Sequence, residues 1–405
     1  MDVITSQRAA LKVADYARLA SQSDRFAQDS GGLQKVCFGY FGEIGGLLAA
    51  LKKISRDELI ETDTQFAAEE IGDALWYLFA VANLSGISPG ELGEACLCEL
   101  RKKFNEVTKS TFGEASFRHI DAMVAAQGDS DRPSRVDLLG ELAATAGVLA
   151  QDGRCQNAFG EEGALAGRLG NLLALLAMTA SSFGLQLELI AGANLNKIKD
   201  RWPGDDRTYL PFFDDGTRFP PHEQFERTFT VKFEQRQGGD RPHVVQSING
   251  VFIGDRLTDN SVEPDGYRFH DVFHLAYVAH LGWSPVIRGL LKRKRKSIHE
   301  VDENQDGARA MIIEEGIATW IFNHAKPRNF YRDVDEGKLE YGLLKQIRSM
   351  VQGYEVQACP LWQWERAVLE GFKVFRELFA AEGGLVHVDM NSHSLTFESL
   401  PAEAG

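Results

Sequence analysis

Glu70 and Asp73 are the residues from which a reaction could be built. They lie three apart in Glu69-Glu70-Ile71-Gly72-Asp73-Ala74-Leu75-Trp76-Tyr77-Leu78, so on a helix both carboxylates project from one side. The segment otherwise reads as a core helix, with Ile71, Leu75 and Leu78 on one apolar stripe that Phe79 and Ala82 extend. An acidic first turn, favoured by the helix dipole, is the plain reading of such acids. A second helix weakens it: Gly42-Glu43-Ile44-Gly45-Gly46-Leu47-Leu48 carries Glu43 into an equally apolar sequence. Carboxylates brought to an apolar interface must be paired or must share a metal ion.

A second stretch has different chemistry. Tyr267-Arg268-Phe269-His270-Asp271-Val272-Phe273-His274 places His270 and His274 at i and i+4 on an expected helix, so both imidazoles can reach one metal from one face. Glu314 or Glu315, in Ile313-Glu314-Glu315-Gly316-Ile317-Ala318, could complete the set. Structural histidines hydrogen-bonded beside a buried glutamate are the alternative. The arrangement resembles zinc peptidases that use HExxH followed by a distant glutamate in an E-G-x-A context, with Asp271 where their general base stands. That resemblance implies Zn²⁺ on His270, His274 and Glu315. His280 has the spacing of a third zinc histidine in another peptidase group, but that group has Gly at the turn where this chain has Tyr277.

The acids of the first stretch carry a further resemblance. G-E-I-G-G-L, then Lys52-Lys53, then E-E-I-G-D-A-L-W-Y-L is similar to the MazG-type all-α nucleoside triphosphate pyrophosphohydrolases, whose ExxE and ExxD helices supply four acids that hold magnesium. Glu43, Glu70 and Asp73 match, and Gly46 stands where the second Glu belongs. The resemblance implies Mg²⁺, with Mn²⁺ as an alternative, and cleavage of a nucleoside triphosphate to the monophosphate and pyrophosphate. Lys52 and Lys53 become candidate phosphate contacts, although a solvated helix end explains them as well. Glu69 could orient water. Trp76 and Tyr77 could stack on a base, against the commoner role of aromatic residues as core.

The pattern then returns. Shifted by 98 positions, Gly42-Glu43 falls on Gly140-Glu141, Leu51 on Leu149, Gly72 on Gly170, Leu75 and Leu78 on Leu173 and Leu176, Gly86 on Gly184 and Leu97 on Leu195. One offset without a gap indicates an internal duplication. The copies have decayed in complementary ways: Arg168 and Asn171 replace the ExxD acids in copy two. Copy two retains Asn194, Lys197 and Arg201 before Trp202-Pro203, which resembles the family's closing N-x-x-K-x-x-x-R helix. That helix brings an amide and cations toward the triphosphate. The expectation is a pseudo-dimer within one chain, with metal acids from copy one and substrate-facing Asn194, Lys197 and Arg201 from copy two. Further self-association remains open. Two inactive relics serving as scaffold are the rival reading.

The elements that must position these residues read as helices near 33–53, 66–85 and 89–108, after an amphipathic helix over 8–30. Ser88-Pro89 marks an N-cap and first helical residue, and 126–135 reads as a linker. Beyond Pro203-Gly204-Asp205-Asp206 the texture changes. Phe229 to Glu234 alternates as a strand, and Asn249-Gly250 between Val244–Ile248 and Val251–Ile253 is a hairpin signal. Helices follow near 267–282, 285–291, 305–324, 337–357 and 361–382, with a last strand at 385–389. This part resembles an extension found fused to some MazG-like domains. The fold expected is mainly α: MazG-like repeats over 1–108 and 109–204, then an α+β domain over 205–405.

With 405 residues, 44% hydrophobic and 25% charged, the chain can bury several cores. A net charge of -14 disfavours nucleic acid held by general phosphate attraction. Lys292-Arg293-Lys294-Arg295-Lys296 is locally basic and reads as a solvated face. Five scattered cysteines point to neither a disulfide framework nor a four-cysteine zinc site and suit a reducing compartment. The first residues lack an apolar signal core, and Leu172–Phe183 is too short to span a bilayer. A cytoplasmic protein without membrane attachment is expected.

Overall fold

The computed structural model describes residues 9–27, 29–57, 63–105, 114–127, 133–152, 162–204, 207–238 and 241–400, with the side chains of 50–57, 63, 152, 162 and 163 left out. Lys52, Lys53, Cys155 and the 128–132 part of the expected linker therefore lie outside the described side chains. The chain is mostly helical and divides into two compact units, Met1–Lys199 and Asp200–Gly405.

The first unit contains α1 (Val13–Ala20), α2 (Gly32–Asp57), α3 (Asp63–Leu84), α4 (Pro89–Lys103), α5 (Phe117–Ala125), α6 (Arg135–Asp152), α7 (Glu162–Ser182) and all of α8 (Leu187–Arg201) but its last two residues, Asp200 and Arg201, which belong to the second. The helix expected over 8–30 is shorter: α1 passes into a 3-10 turn at Ser21–Ser23, and Asp24 accepts from Phe26 N in the bend that follows. α5 was not anticipated. Ser88 closes a capping box on α4, its hydroxyl accepting from Glu91 N at 3.2 Å while Glu91 accepts from Ser88 N at 2.8 Å. α8 has no such residue of its own; Asp121 on α5 instead accepts from Leu187 N and Glu188 N at 2.8 and 2.9 Å.

Positions 98 apart are built alike. Gly86 and Gly184 both take left-handed φ, +77° and +72°, which glycine adopts without the cost of a Cβ. Ile87 N donates to Ala82 O at 2.9 Å after α3, and Leu185 N to Ala180 O at 2.9 Å after α7. A Cβ on Gly72 of α3 would touch Ile190 and Asn194 of α8; a Cβ on Gly170 of α7 would fall 2.5 Å from Cβ of Ala95 and 2.8 Å from Cys96 N, on α4. Asn194 and Cys96 are themselves 98 apart. Each glycine thus lets the fourth helix of the other half come close. The stretch Ala164–Ser182 of α7 is long and apolar enough to cross a membrane, and 67% of it is buried inside the fold.

In the second unit, β1 (Thr228–Gly238), β2 (Arg241–Ile248), β3 (Val251–Leu257), β4 (Gly383–Asp389) and β5 (Ser394–Glu398) form, among the described residues, one antiparallel sheet in the order β3-β2-β1-β4-β5. Asn249 and Gly250, at φ +50° and +80°, turn the β2–β3 hairpin as a type I′ turn requires. Its helices are α9 (Asp271–Leu281), α10 (Pro285–Leu290), α11 (His299–Asn304), α12 (Ala308–Ala325), α13 (Tyr341–Met350) and α14 (Leu361–Ala381). α9 is buried along its whole length and packs against α14, α12 and the β4–β5 edge.

Two sequence expectations are corrected here. Arg295, read as part of a solvated basic face, is 1% exposed and donates to Asp306 and Glu355, each at 2.6 Å. Arg201, read as a phosphate contact, is 2% exposed and ion-paired with Glu365; its guanidinium also donates to Leu339 O at 2.8 Å, and Glu365 accepts from Leu339 N at 2.8 Å. In both cases the desolvated guanidinium requires a carboxylate, and a buried one is in reach. Removing one partner leaves a buried charge uncompensated. Glu365→Ala is therefore expected to destabilise the second unit by about 3–5 kcal/mol, read by urea unfolding through tryptophan fluorescence, since Trp76 alone of the six tryptophans lies outside that unit. A change below about 1 kcal/mol would contradict this.

Candidate functional site

The acids of the first unit meet because α2 and α3 run past one another in a fixed register. A Cβ on Gly39 would fall 2.2 Å from the Tyr77 ring, and a Cβ on Gly46 would fall 2.3 Å from Glu70 Oε2. Seven residues along α2 match seven residues back along α3, and Glu43, between the two glycines, is level with Asp73. Gly39 makes room for an aromatic ring. At Gly46 the carboxylate of Glu70 occupies the space in which a fourth acid would begin.

Crowding sets the electrostatics. Glu43 is raised from 4.5 to about 7, first by burial, then by the charges of Asp73 and Glu70 and by a hydrogen bond to Glu70; Lys197 pulls the other way. Burial also raises Glu70, with Glu43's hydrogen bond opposing it and Asp73 and Glu69 adding to the rise. Glu43 thus holds a proton toward Glu70 where like charges cannot all ionise together. Across from them, α8 brings Lys197 Nζ to 2.6 and 2.5 Å from the two oxygens of Asp73, and to 3.6 Å from Glu69 Oε1. Asn194 donates to Asp73 Oδ1 at 3.3 Å and accepts from Tyr16 OH at 2.8 Å. The buried phenol therefore fixes which way the amide points. Burial and the charge of Asp73 hold that phenol protonated, well above its ordinary range.

Glu43, Glu69, Glu70, Asp73, Asn194 and Lys197 consequently share one locality. Trp76 does not open toward it: its indole donates to Ser23 Oγ at 2.9 Å and packs edge-on to Phe26. Tyr77 is half-buried on Gly39 within the fields of Glu43 and Asp73. Tyr16 and Gly39 had escaped the sequence reading. Hard carboxylate oxygens in excess, among the described residues, over the ammonium of Lys197, with a proton retained to relieve them, form a donor set that fits Mg²⁺ or Mn²⁺.

In the second unit, His270, Asp271 and His274 offer ligand atoms within 4.8 Å of one another, and Glu315 Oε2 lies 3.8 Å from His270 Nε2 and 3.5 Å from His274 Nε2. Of the two candidate glutamates, Glu314 is fully buried behind His274 Nδ1 at 2.8 Å, leaving Glu315 on the open side. His280, although on the same helix, has its Nε2 in a hydrogen bond with Glu370. α9 continues through Tyr277, so a third histidine never turns back to the pair.

The raised carboxyl of Glu43 gives a signed prediction. A folded-state value above the ordinary one favours the protonated fold, so its contribution is complete below about 4.5 and is lost as pH climbs through about 7. Metal-free protein should lose thermal stability over that window by circular dichroism, and Glu43→Gln should flatten the slope. An unchanged slope in the variant would contradict the assignment.

Residues 208–401 match the family model of the MazG C-terminal domain. No curated protein and no solved structure matches the chain.

Proposed function

We propose that the chain is a magnesium-dependent nucleoside triphosphate pyrophosphohydrolase of the cytoplasm. In this reading 1–108 and 109–204 are tandem MazG-like repeats paired within one chain, and 205–405 is the MazG-associated domain. The observation that carries the reading is Lys197, from the second half, lying 2.5 Å from Asp73 in the acid cluster of the first. The matched glycine closures and the reciprocal close approaches at Gly72 and Gly170 support the pairing.

Glu43, Glu70 and Asp73 would hold Mg²⁺, with Mn²⁺ able to replace it; when bound, the ion offsets charge developing on phosphate oxygens. Lys197 offers a second cation to the triphosphate, and Asn194, held by Tyr16, offers an amide donor. Glu69 stands where a carboxylate could orient the attacking water. Water adds to the α-phosphorus, the bond to the bridging oxygen breaks, and monophosphate and pyrophosphate leave. Arg201 takes no part. The cationic grip therefore rests on Lys197, with Lys52 and Lys53 as further proposed contacts.

A second reading is favoured by the same ion pair: Lys197 could serve as the counter-ion of Asp73 in a module that binds nucleotide without turnover. Pyrophosphate release from a panel of NTPs and dNTPs with Mg²⁺ separates them. Turnover is expected, with loss on Glu70→Ala or Asp73→Ala. Lys197→Met should lower kcat/KM by about 10- to 100-fold, the effect of removing a charged hydrogen bond of about 1.5–3 kcal/mol. Nucleotide binding without release of pyrophosphate from any member of the panel would favour the binding module and sink the hydrolase.

A further inference from the structure

We propose that the second unit carries a transition-metal centre, with zinc the expected occupant, held by His270 Nε2, His274 Nε2, Asp271 and Glu315. It stands independently of the magnesium chemistry proposed for the first unit.

His270 Nδ1 is 2.8 Å from the carbonyl oxygen of Tyr267, which can only accept, so Nδ1 carries the hydrogen. His274 Nδ1 is 2.8 Å from Glu314 Oε1. Glu314 also accepts from Ser284 Oγ at 2.6 Å and from Val286 N at 2.8 Å, so it is a carboxylate oriented by donors on all sides. With Nδ1 of each ring tied outward, Nε2 is the nitrogen each ring has left for a metal ion. This is the outer arrangement that metal-bound histidines use, the second ring nitrogen being tied to a carboxylate or carbonyl.

What the two Nε2 atoms face is negative. His270 Nε2 lies 3.2 Å from Asp271 Oδ1 and 3.8 Å from Glu315 Oε2; His274 Nε2 lies 3.5 Å from Glu315 Oε2. Gln246 on β2 donates to the other oxygen of Asp271 at 2.6 Å, which leaves Oδ1 turned to the histidines. His274 is fully buried, and among the described residues its Nε2 has no hydrogen-bond partner. Desolvated carboxylate oxygens this close call for a cation among them, which a metal ion held by both Nε2 atoms would supply.

The spacing fits one ion. Ligand bonds of about 2.0–2.1 Å in a tetrahedral zinc site separate neighbouring donors by about 3.3 Å; three separations here are 3.2, 3.5 and 3.8 Å, and the ligand atoms of His270, Asp271 and His274 all lie within 4.8 Å of one another. Imidazole with carboxylate selects zinc and its transition-metal neighbours over magnesium. Glu315 is 43% exposed, so solvent reaches the centre from its side while Glu314, Tyr267 and Gln246 close the rest. Asp271, which takes the sequence position of a peptidase general base, here points at the histidine beside it and acts as a ligand.

The test uses the full chain carrying Asp73→Ala, so that the first unit's acids do not obscure the result. After chelation and dialysis, one equivalent of Zn²⁺ should rebind, and Co²⁺ should give the intense visible absorption of a four-coordinate nitrogen–oxygen site. Glu315→Gln, at a half-exposed position, should weaken either metal at least tenfold with the fold intact by circular dichroism. His274→Gln should abolish the cobalt band. The proposal is overturned if folded protein takes up neither metal, or if binding is unchanged in Glu315→Gln. Nucleotide turnover in the unmutated chain is a separate readout, so failure here leaves the pyrophosphohydrolase reading to its own test.

Discussion

The first unit depends on a conflict between apolar packing and charge. α2 and α3 bury apolar stripes against one another, and the same register brings Glu43, Glu70 and Asp73 to a single place. Desolvated carboxylates at close range cannot all stay ionised without cations. The fold answers with a proton held by Glu43 and with Lys197 against Asp73. Both answers are exchangeable, since a divalent ion can displace a proton and an ammonium can turn to a phosphate. A hydrophobic pair of helices would be steadier, so the charges are best explained by what they bind.

The second unit resolves its buried charges in two ways. Arg201 with Glu365, and Arg295 with Asp306 and Glu355, are closed sets in which each guanidinium meets carboxylates directly. The group around His274 is different, because Nδ1 of each ring is tied outward, to Tyr267 O and Glu314, while Nε2 faces Asp271 and Glu315. Glu314 and Glu315, neighbours in sequence, divide the work: one orients a ring from behind, and the other faces the shared space.

How much could be read from the sequence followed from how local the determinants are. Glu70 with Asp73, and His270 with His274, are joined by helical spacing, and the Asn249-Gly250 turn by its own backbone preference. The offset of 98 made the matched glycines findable. Contacts with no local signature were missed: Tyr16 reaches Asn194 across 178 positions, and Asp121 caps α8 from a helix that was not anticipated. Arg201 shows the limit of spacing. It stands one turn beyond Lys197 and so should share its face, but α8 ends there and Glu365, 164 positions on, takes the guanidinium.

The central claim is that the acids of the first half and the lysine of the second serve one triphosphate. Anomalous diffraction at the manganese edge, from crystals grown with Mn²⁺ and an α,β-imido nucleoside triphosphate, tests it most directly. The account predicts a manganese peak bounded by Glu43, Glu70 and Asp73, with Lys197 Nζ moved from Asp73 onto a phosphate oxygen. Nucleotide bound elsewhere, or a lysine still seated on Asp73 with no metal among the acids, would contradict it.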